Sequence, residues 1–255
     1  MKSELTVDES RNRPAPRGKP KDPEGNRAAI LAASVAEFAA RGYHGGRVNT
    51  IAQESGCDKQ LLYYYFSSKE GLYIAALEYA YAQARLSQAD QPVDPSDPLR
   101  SLIDMVLAAF DFVTKRPDII RLIANENIEE ARFLKQSSVV RNINAPIIDK
   151  LRQILILGEE QGLFRPDLDA LELHHVTSAL TNHYVTNAYT FGYLWDVDFF
   201  SEESREAYRS TIEKVVAGFV LLPGPRPTAG SRATGTNGTN GSVVLGAGPV
   251  TTAKA

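Results

Sequence analysis

Residues 47–66 carry the feature that most constrains the fold, because they have the pattern of two short helices joined by a tight turn. Val48 and Ile51 give the first helix apolar side chains at helical spacing. Gly56 favours the left-handed conformation that ends a helix, and Asp58 is suited to cap the next helix by accepting backbone N–H groups. The pattern predicts a helix-turn-helix, a motif whose second helix is shaped to lie in the major groove of DNA.

The residues that follow make this pattern more specific. The segment LLYYYFSSKEGLY at 61–73 resembles the recognition-helix signature of TetR-type transcriptional regulators, which is L-Y-Y-H-F followed by a short polar pair, Lys-Glu and Leu. Upstream, FAARGYHGG and IAQESG resemble the family patterns F-x-x-x-G-Y and I-A-x-x-x-G, so the match covers residues 24–84. The sequence departs from the family at Arg47 and Val48, where two Thr or Ser residues are common. Arg47 is therefore expected to replace by its charge the phosphate contact of those hydroxyl groups.

The resemblance implies an all-α protein of about nine helices. A three-helix head would contain the helix-turn-helix, and a C-terminal helical domain would bind a ligand and dimerise. The implied function is that of a ligand-responsive DNA-binding transcriptional regulator, specifically a repressor that a small-molecule effector releases from operator DNA. The implied partners are a pseudo-palindromic double-stranded operator, an effector that the sequence does not identify, and a second copy of the chain bound through the two last long helices.

Two sets of site residues follow from the positions of these elements. Contacts to DNA are predicted for the outer side of the helix-turn-helix and the start of the next helix, namely Arg47, Asn49, Lys59, Gln60, Leu61, Tyr63, Tyr64, Tyr65 and Lys69. A ligand pocket is predicted where apolar walls meet polar side chains that need partners. Its candidates are Phe110, Ile123, Asn125, Glu126, Asn127, His183, Tyr184 and Asn187.

Charge and composition agree with these roles. Residues 1–75 hold 11 basic and 9 acidic residues, whereas the rest of the chain holds 17 and 22. The weak positive charge therefore lies on the end that carries the helix-turn-helix, as binding to a phosphate backbone requires. A single cysteine excludes an intramolecular disulfide and fits a reducing compartment. Because no apolar run reaches the ~18–20 residues of a membrane span, a cytoplasmic protein without a membrane partner is expected.

Breaks in the pattern divide the chain into four segments. Residues 1–21 are predicted to be a disordered arm that is basic in its second half, and residues 22–68 to be the helix-turn-helix domain. Residues 69–222 are predicted to form a connecting helix and the effector-binding and dimerisation domain, and 223–255 a disordered tail. The basic arm has two interpretations, which are a groove or phosphate contact and a solvated leader.

Helix boundaries follow from caps and apolar periodicity. The first helix is expected to begin at Pro23 and to end at Gly42, and Gly46 is expected to cap the second. Ser67 is expected to cap the fourth helix, which runs to about Ala89. The five helices of the body are expected at 99–114, 117–130, 143–161, 168–192 and 201–222.

Three other classes of function need to be weighed. The sequence gives no support for an enzyme on an all-α scaffold, because it has no nucleophile elbow, P-loop, HExxH motif or dinucleotide fingerprint. For a metal site, His175 and His183 lie about two helical turns apart, which is too far for a compact ligand pair, and no metal or other cofactor is predicted. A helical dimer that binds a small molecule or a protein without binding DNA stays open, because of the departure at Arg47 and Val48.

Overall fold

The computed structural model describes residues 22–223, and the predictions for the arm at 1–21 and for the tail from residue 224 onward lie outside these residues. Within 22–223 the chain forms nine α-helices, which confirms the all-α prediction. They are α1 (Pro23–Gly45), α2 (Val48–Glu54), α3 (Lys59–Phe66), α4 (Lys69–Ala89), α5 (Pro98–Lys115), α6 (Pro117–Ile128), α7 (Val140–Glu160), α8 (Ala170–Trp195) and α9 (Glu202–Val220). A short 3-10 turn, Leu134–Gln136, lies between α6 and α7.

Helix α1 begins as its sequence predicts but ends later. The Asp22 carboxylate accepts a hydrogen bond from the Gly25 backbone N–H at 2.9 Å, and Pro23 occupies the first turn. The helix breaks at Gly42 as predicted, with a φ of 64° and a ψ of −179° that are not helical, and a helical turn then resumes as far as Gly45. Glycine suits the break because L side chains rarely adopt a positive φ.

The start of α2 also differs from the prediction. Arg47, and not Gly46, is the cap residue, and its side chain makes no capping hydrogen bond. Its backbone N–H instead donates to Glu37 Oε1 of α1 at 2.9 Å, which ties the two helices together. Gly46 has a different role, because a Cβ there would lie 2.5 Å from the Phe38 ring. The glycine therefore allows the chain to pass close to the core of the head.

Helix α4 is capped one residue later than predicted. Ser68 Oγ accepts a hydrogen bond from the Gly71 backbone N–H at 2.9 Å, as expected of an N-cap serine. The predicted cap, Ser67, has a φ of 63° and closes α3 through its own N–H, which donates to the Tyr63 carbonyl at 2.9 Å. The two serines therefore share the tight connection between α3 and α4, and only the second is placed to cap.

An aromatic cluster joins the head to the body. Phe38 of α1 packs edge-on against Tyr73 of α4, with ring centroids 4.9 Å apart. Tyr43 lies 4.2 Å from Phe133, which is also 4.9 Å from Tyr73. Since Phe38, Tyr73 and Phe133 are fully buried, the cluster fixes α1 and α4 to the segment that follows α6.

The body packs around α5, which contacts α4, α6, α7, α8 and α9. Phe110 of α5 lies 5.0 Å from Tyr184 of α8 and 5.4 Å from Tyr208 of α9, measured between ring centroids. The two phenols are satisfied by backbone, because Tyr184 donates to the Phe199 carbonyl at 2.6 Å and Tyr208 to the Leu180 carbonyl at 2.8 Å. No helix within 22–223 is long and apolar enough to cross a membrane.

Helix α8 continues past its predicted end at Gly192 to Trp195, where Asp196 takes a left-handed conformation. Gly192 lies within the helix and permits a close approach of the chain, since a Cβ there would lie 2.8 Å from the Val197 carbonyl oxygen. Smaller shifts affect the ends of α6 and the start of α7. These differences leave the order and number of the body helices as predicted.

The C-terminal end of α4 is held by Lys150 of α7. The Lys150 ammonium donates to the carbonyls of Gln88 at 3.0 Å, of Ala89 at 2.9 Å and of Gln91. The first two carbonyls belong to the last turn of α4, and the third follows its cap residue, Asp90. Lys150 thus anchors this end of α4 to the body.

Candidate functional site

The outer side of α3 presents a group of exposed polar and aromatic side chains, which we call the reading face: Lys59, Gln60, Tyr63 and Tyr64. Tyr64 is 78% exposed, whereas Leu62 and Phe66 on the opposite side of α3 are buried in the head. The Asp58 carboxylate accepts the Leu61 backbone N–H at 2.8 Å and fixes the start of the helix. A rigid helix with a polar outer side is the arrangement that major-groove binding requires.

The other residues predicted to contact DNA surround the reading face. Arg47 and Asn49 are exposed at the start of α2, and Leu61 is half-buried. Tyr65 is half-buried, and its hydroxyl donates to the Pro23 carbonyl at 3.2 Å. Lys69 is also half-buried, because its ammonium donates to the His44 carbonyl at 3.3 Å and lies 4.9 Å from the centre of the Tyr43 ring. Tyr65 and Lys69 therefore already have partners inside the head.

Helix α6 connects the head to the interior of the body. The Asn125 side-chain amide donates to the carbonyls of Phe38 at 3.0 Å and Ala39 at 3.2 Å, both in α1. The Glu126 carboxylate is 2% exposed, and its Oε1 accepts the backbone N–H groups of Phe133 and Leu134 at 2.8 Å. These contacts tie α6 to α1 and to the segment that follows α6.

A cavity of about 630 Å³, which we call the central cavity, lies between α4, α5, α6 and α8. Its volume is in the range of small-molecule sites in proteins. Apolar side chains of α5 and α6 form one wall, and polar side chains of α4 and α8 form the other. The lining residues used below are Tyr81, Arg85, Gln88, Phe112, Val113, Ile120, Ile123, Asn127, His174, His175, Ser178, Asn182 and His183.

The structure brings three of the eight predicted ligand residues to this cavity, namely Ile123, Asn127 and His183. The other five do not line it. Phe110 and Tyr184 belong to the aromatic packing of the body, and Asn125 and Glu126 bind backbone groups on the other side of α6. Asn187 donates to the His183 carbonyl at 3.3 Å and to Thr186 Oγ1 at 2.9 Å within α8.

Sequence reasoning missed Arg85, Gln88 and His174. The first two lie on α4, for which the sequence predicted only a connecting role, although Arg85 is a charged residue in the otherwise uncharged segment YAQARL. Burial and then the charge of Arg85 lower the pKa of His174 to about 4, so this imidazole is neutral at neutral pH. Burial also lowers the pKa of Arg85 and raises that of Tyr81. These shifts arise because the three groups are shielded from water.

Two family descriptions match the chain. "Bacterial regulatory proteins, tetR family" matches residues 30–76, and "Tetracyclin repressor-like, C-terminal domain" matches residues 95–216. The HTH-type transcriptional repressor SCO4008 of Streptomyces coelicolor is 38% identical over 163 residues, which are 64% of this chain and 79% of that protein. The chain belongs to the TetR family of transcriptional regulators.

Two further similarities agree with membership of the TetR family. The HTH-type transcriptional repressor NicS of Pseudomonas putida is 28% identical over 176 residues, covering 69% of this chain and 83% of that protein. The crystal structure of a TetR family transcription regulator from Marinobacter aquaeolei has the same fold, with a TM-score of 0.61, 20% identity, and coverage of 78% of this chain and 96% of that one. As a TetR-family member, the protein is a DNA-binding transcriptional regulator and not an enzyme. The alternative of a dimeric module without DNA binding is not favoured.

Proposed function

We propose that this TetR-family regulator is a repressor that binds a pseudo-palindromic operator as a homodimer and releases it when a small molecule occupies the central cavity. One observation carries the proposal. Helix α4 lines the cavity with Tyr81, Arg85 and Gln88, and the same helix packs at its other end against the head through Tyr73. A ligand in the cavity therefore touches the helix that positions the reading face. The names of the two matched relatives support repression as the sign of regulation.

On the DNA side, the proposal assigns base contacts to the exposed start of α3. Gln60 and Lys59 are exposed there, and both side-chain types make hydrogen bonds with base edges in the major groove. The domain division predicted from the sequence is retained, with 22–68 as the DNA-binding unit. Tyr63, Tyr64, Arg47 and Asn49 are proposed to contact the phosphate backbone, which fixes register without reading sequence.

A second copy of the chain is proposed to pack against α8 and α9. Both helices keep apolar side chains exposed after burying another side in the body, as seen for Leu171, Tyr189 and Val215. Tyr193 and Trp195, near the end of α8, are 89% and 61% exposed. TetR regulators usually bind operator DNA as dimers, and apolar patches of this kind mark protein interfaces. A two-fold dimer would set two reading faces a helical turn apart, at about 34–36 Å.

The proposed response to a ligand uses the contacts of α6 as well as those of α4. Ile120, Ile123 and Asn127 line the central cavity, while Asn125 on the same helix holds the carbonyls of Phe38 and Ala39. Occupancy of the cavity would shift both helices and so change the distance between the two heads of a dimer. Such a shift needs a ligand that binds the DNA-free conformation more tightly than the DNA-bound conformation, by a few kcal/mol.

The test is a randomised-site selection with the full chain, followed by fluorescence anisotropy on the selected duplex. The expected result is a pseudo-palindromic site bound by two chains. Lys69→Ala should weaken binding to all sequences and reduce the salt slope by about one, whereas Lys59→Ala should also relax the preference at the base pair that Lys59 contacts.

Lys115→Ala is the matched control, because Lys115 is exposed at the end of α5, far from the head. Selection of no duplex, or a site bound by one chain only, contradicts the proposal. If Lys69→Ala leaves the salt slope of DNA binding unchanged but lowers the melting temperature, Lys69 does not contact DNA. Its role would then be only to hold the loop at His44.

A further inference from the structure

Within the described chain, Arg85 is the only Asp, Glu, Lys or Arg residue that lines the central cavity. Its Nη1 donates to Gln88 Oε1, and its Nε is buried without a hydrogen-bond partner among the described residues. Burial lowers the pKa of Arg85, and the one ionisable group that opposes this is the Tyr81 phenol, which is neutral at neutral pH because burial raises its own pKa. A guanidinium group has five N–H donors in a planar fork, and among the described residues only Nη1 of Arg85 is seen to donate, to Gln88.

Two other partly shielded arginines of the body have carboxylate partners. Arg116 pairs with the carboxylate of Asp118 at 2.8 Å, and Arg209 pairs with that of Asp111. Both pairs follow the rule that a shielded charge is accompanied by an opposite one. Arg85 breaks this rule at the wall of a cavity, which is where a ligand would supply the missing charge.

We infer that Arg85 binds the carboxylate of a small organic monoanion whose apolar or aromatic body packs against Phe112, Val113 and Ile123. The inference rests on the proposed function, because it names the chemical class of the effector for the same cavity. A carboxylate fits a guanidinium group through paired hydrogen bonds. The apolar side chains of α5 and α6 form the opposite wall, so one end of the ligand is polar and the other apolar.

The charge of the cavity selects a monoanion over a dianion such as a phosphate monoester. Arg85 supplies one positive charge, and His174 is a neutral imidazole at neutral pH. Ser178 and Asn182 add neutral hydrogen-bonding groups. A second negative charge would enter a shielded site without a partner, which is unfavourable. The ligand would also act directly on α4, because Arg85 lies four residues before the end of that helix.

Matched probes test the charge of the ligand with the full chain in the absence of DNA. Benzoate, phenylacetate and 3-phenylpropanoate are compared with their primary amides and with phenyl phosphate by thermal shift and calorimetry. At least one of the carboxylates should bind roughly ten- to a hundredfold more tightly than its amide, because a hydrogen bond to a charged group is lost in the amide. Equal affinity for amides, tighter binding of phenyl phosphate, or no binding of any carboxylate overturns the inference.

Variants of Arg85 test the residue itself. Arg85→Met should abolish the preference for a carboxylate over its amide, and Arg85→Lys should keep part of it. Without ligand, Arg85→Met should melt at the same temperature as the wild type or about 2–4 °C higher, since an unpaired charge is removed. The comparison variant is Lys150→Met, which removes a cation that already binds three carbonyls and should melt lower while keeping the preference. Arg85→Met that melts lower, or that still prefers carboxylates, overturns the inference.

DNA release is measured separately, so that the two proposals fail separately. If a carboxylate binds through Arg85 and leaves operator affinity unchanged, the proposed ligand response is wrong and the assignment of Arg85 stands. If a neutral molecule releases the operator and Arg85→Met responds like the wild type, the assignment of Arg85 is wrong and the ligand response stands.

Discussion

The reading face of the head and the wall of the central cavity both carry a positive charge, but the first charge is exposed to solvent and the second is shielded from it. Lys59 is exposed on α3, with its ammonium 5.8 Å from the centre of the Tyr63 ring. Arg85 is shielded within the body, where burial lowers its pKa. Salt screens exposed charges over about 8–10 Å but affects buried ones much less. DNA binding is therefore expected to depend on many weak, salt-sensitive contacts, whereas ligand binding is expected to depend on one shielded group.

The largest difference in the free energy of unfolding is expected between variants of two aromatic residues of the head. Phe38→Ala should lower the free energy of unfolding by about 3–5 kcal/mol, because it opens a cavity in the buried cluster with Tyr73. Tyr64→Ala should change it by less than about 0.5 kcal/mol, since this side chain is mostly exposed. Urea unfolding measures both, and operator binding should fall in Tyr64→Ala without loss of stability. Similar stability losses in the two variants would mean that the reading face is part of the core.

The next effect concerns sequence preference. Gln60→Ala should cost about 1–3 kcal/mol of discrimination at one base pair of each half-site, because a base-edge hydrogen bond is lost. A randomised-site selection on the variant measures this change. Gln153→Ala, on the exposed side of α7, is the control and should select the wild-type operator. If Gln60→Ala also selects the wild-type operator, Gln60 does not read bases.

A smaller effect on stability is expected where Asn125 of α6 contacts α1. Asn125→Ala should reduce stability by about 1 kcal/mol and speed amide exchange near the end of α1, because the carbonyls of Phe38 and Ala39 lose their donor. Asn127→Ala is the control on the same helix, since its amide donates only to the Ile123 carbonyl of α6. Hydrogen exchange and urea unfolding distinguish the two. Equal changes in both variants would remove α6 as the link to the head.

The smallest effect should appear in the dependence of stability on pH. The pKa of His174 is lowered from 6.5 to about 4 by burial, by Arg85 on α4 and by His175 on α8. As the pH falls below 6.5, His174 is protonated in the unfolded chain but not in the folded one. The free energy of unfolding therefore decreases until about pH 4, where the folded protein also binds the proton. The melting temperature of His174→Gln should fall less between pH 7.5 and 5 than that of the wild type. Because His174 is only partly buried, solvent limits the difference. A fall in His174→Gln that equals that of the wild type would mean that the imidazole is not shielded in solution.

The contrast between the two regions also explains what the sequence could predict. The helix-turn-helix depends on local signals such as the Asp58 cap, and α3 begins at Lys59 as expected. The break predicted at Gly42 is present, whereas α8 runs past its predicted last residue, Gly192, which instead permits the close approach of Val197. Local sequence does not distinguish these roles of glycine, because the neighbour that requires it can lie outside the helix.

The ligand site was harder to predict because the central cavity is formed by four helices that are distant in sequence. Asn125 and Asn127 have the same side chain and lie two residues apart, yet one binds α1 and the other lines the cavity. Which side of α6 faces which neighbour is decided by packing, and that information is not local. Arg85 was missed for the same reason, since its lack of a carboxylate partner is a property of the assembled body.

The hold of Lys150 on the last carbonyls of α4 has a mechanical consequence. With that end fixed, the helix can swing about it as a rod of about 30 Å, at 1.5 Å per residue for its 21 residues. Arg85 lies about 6 Å from the fixed point, whereas Lys69 lies about 30 Å from it. For a rigid rod, a push of half an ångström at the guanidinium corresponds to about 2.5 Å at Lys69, and such a movement would have to repack Tyr73 against Phe133. Arg85, next to the cavity, is thus close to the fixed end of α4, and Lys69, next to the reading face, is at the distant end.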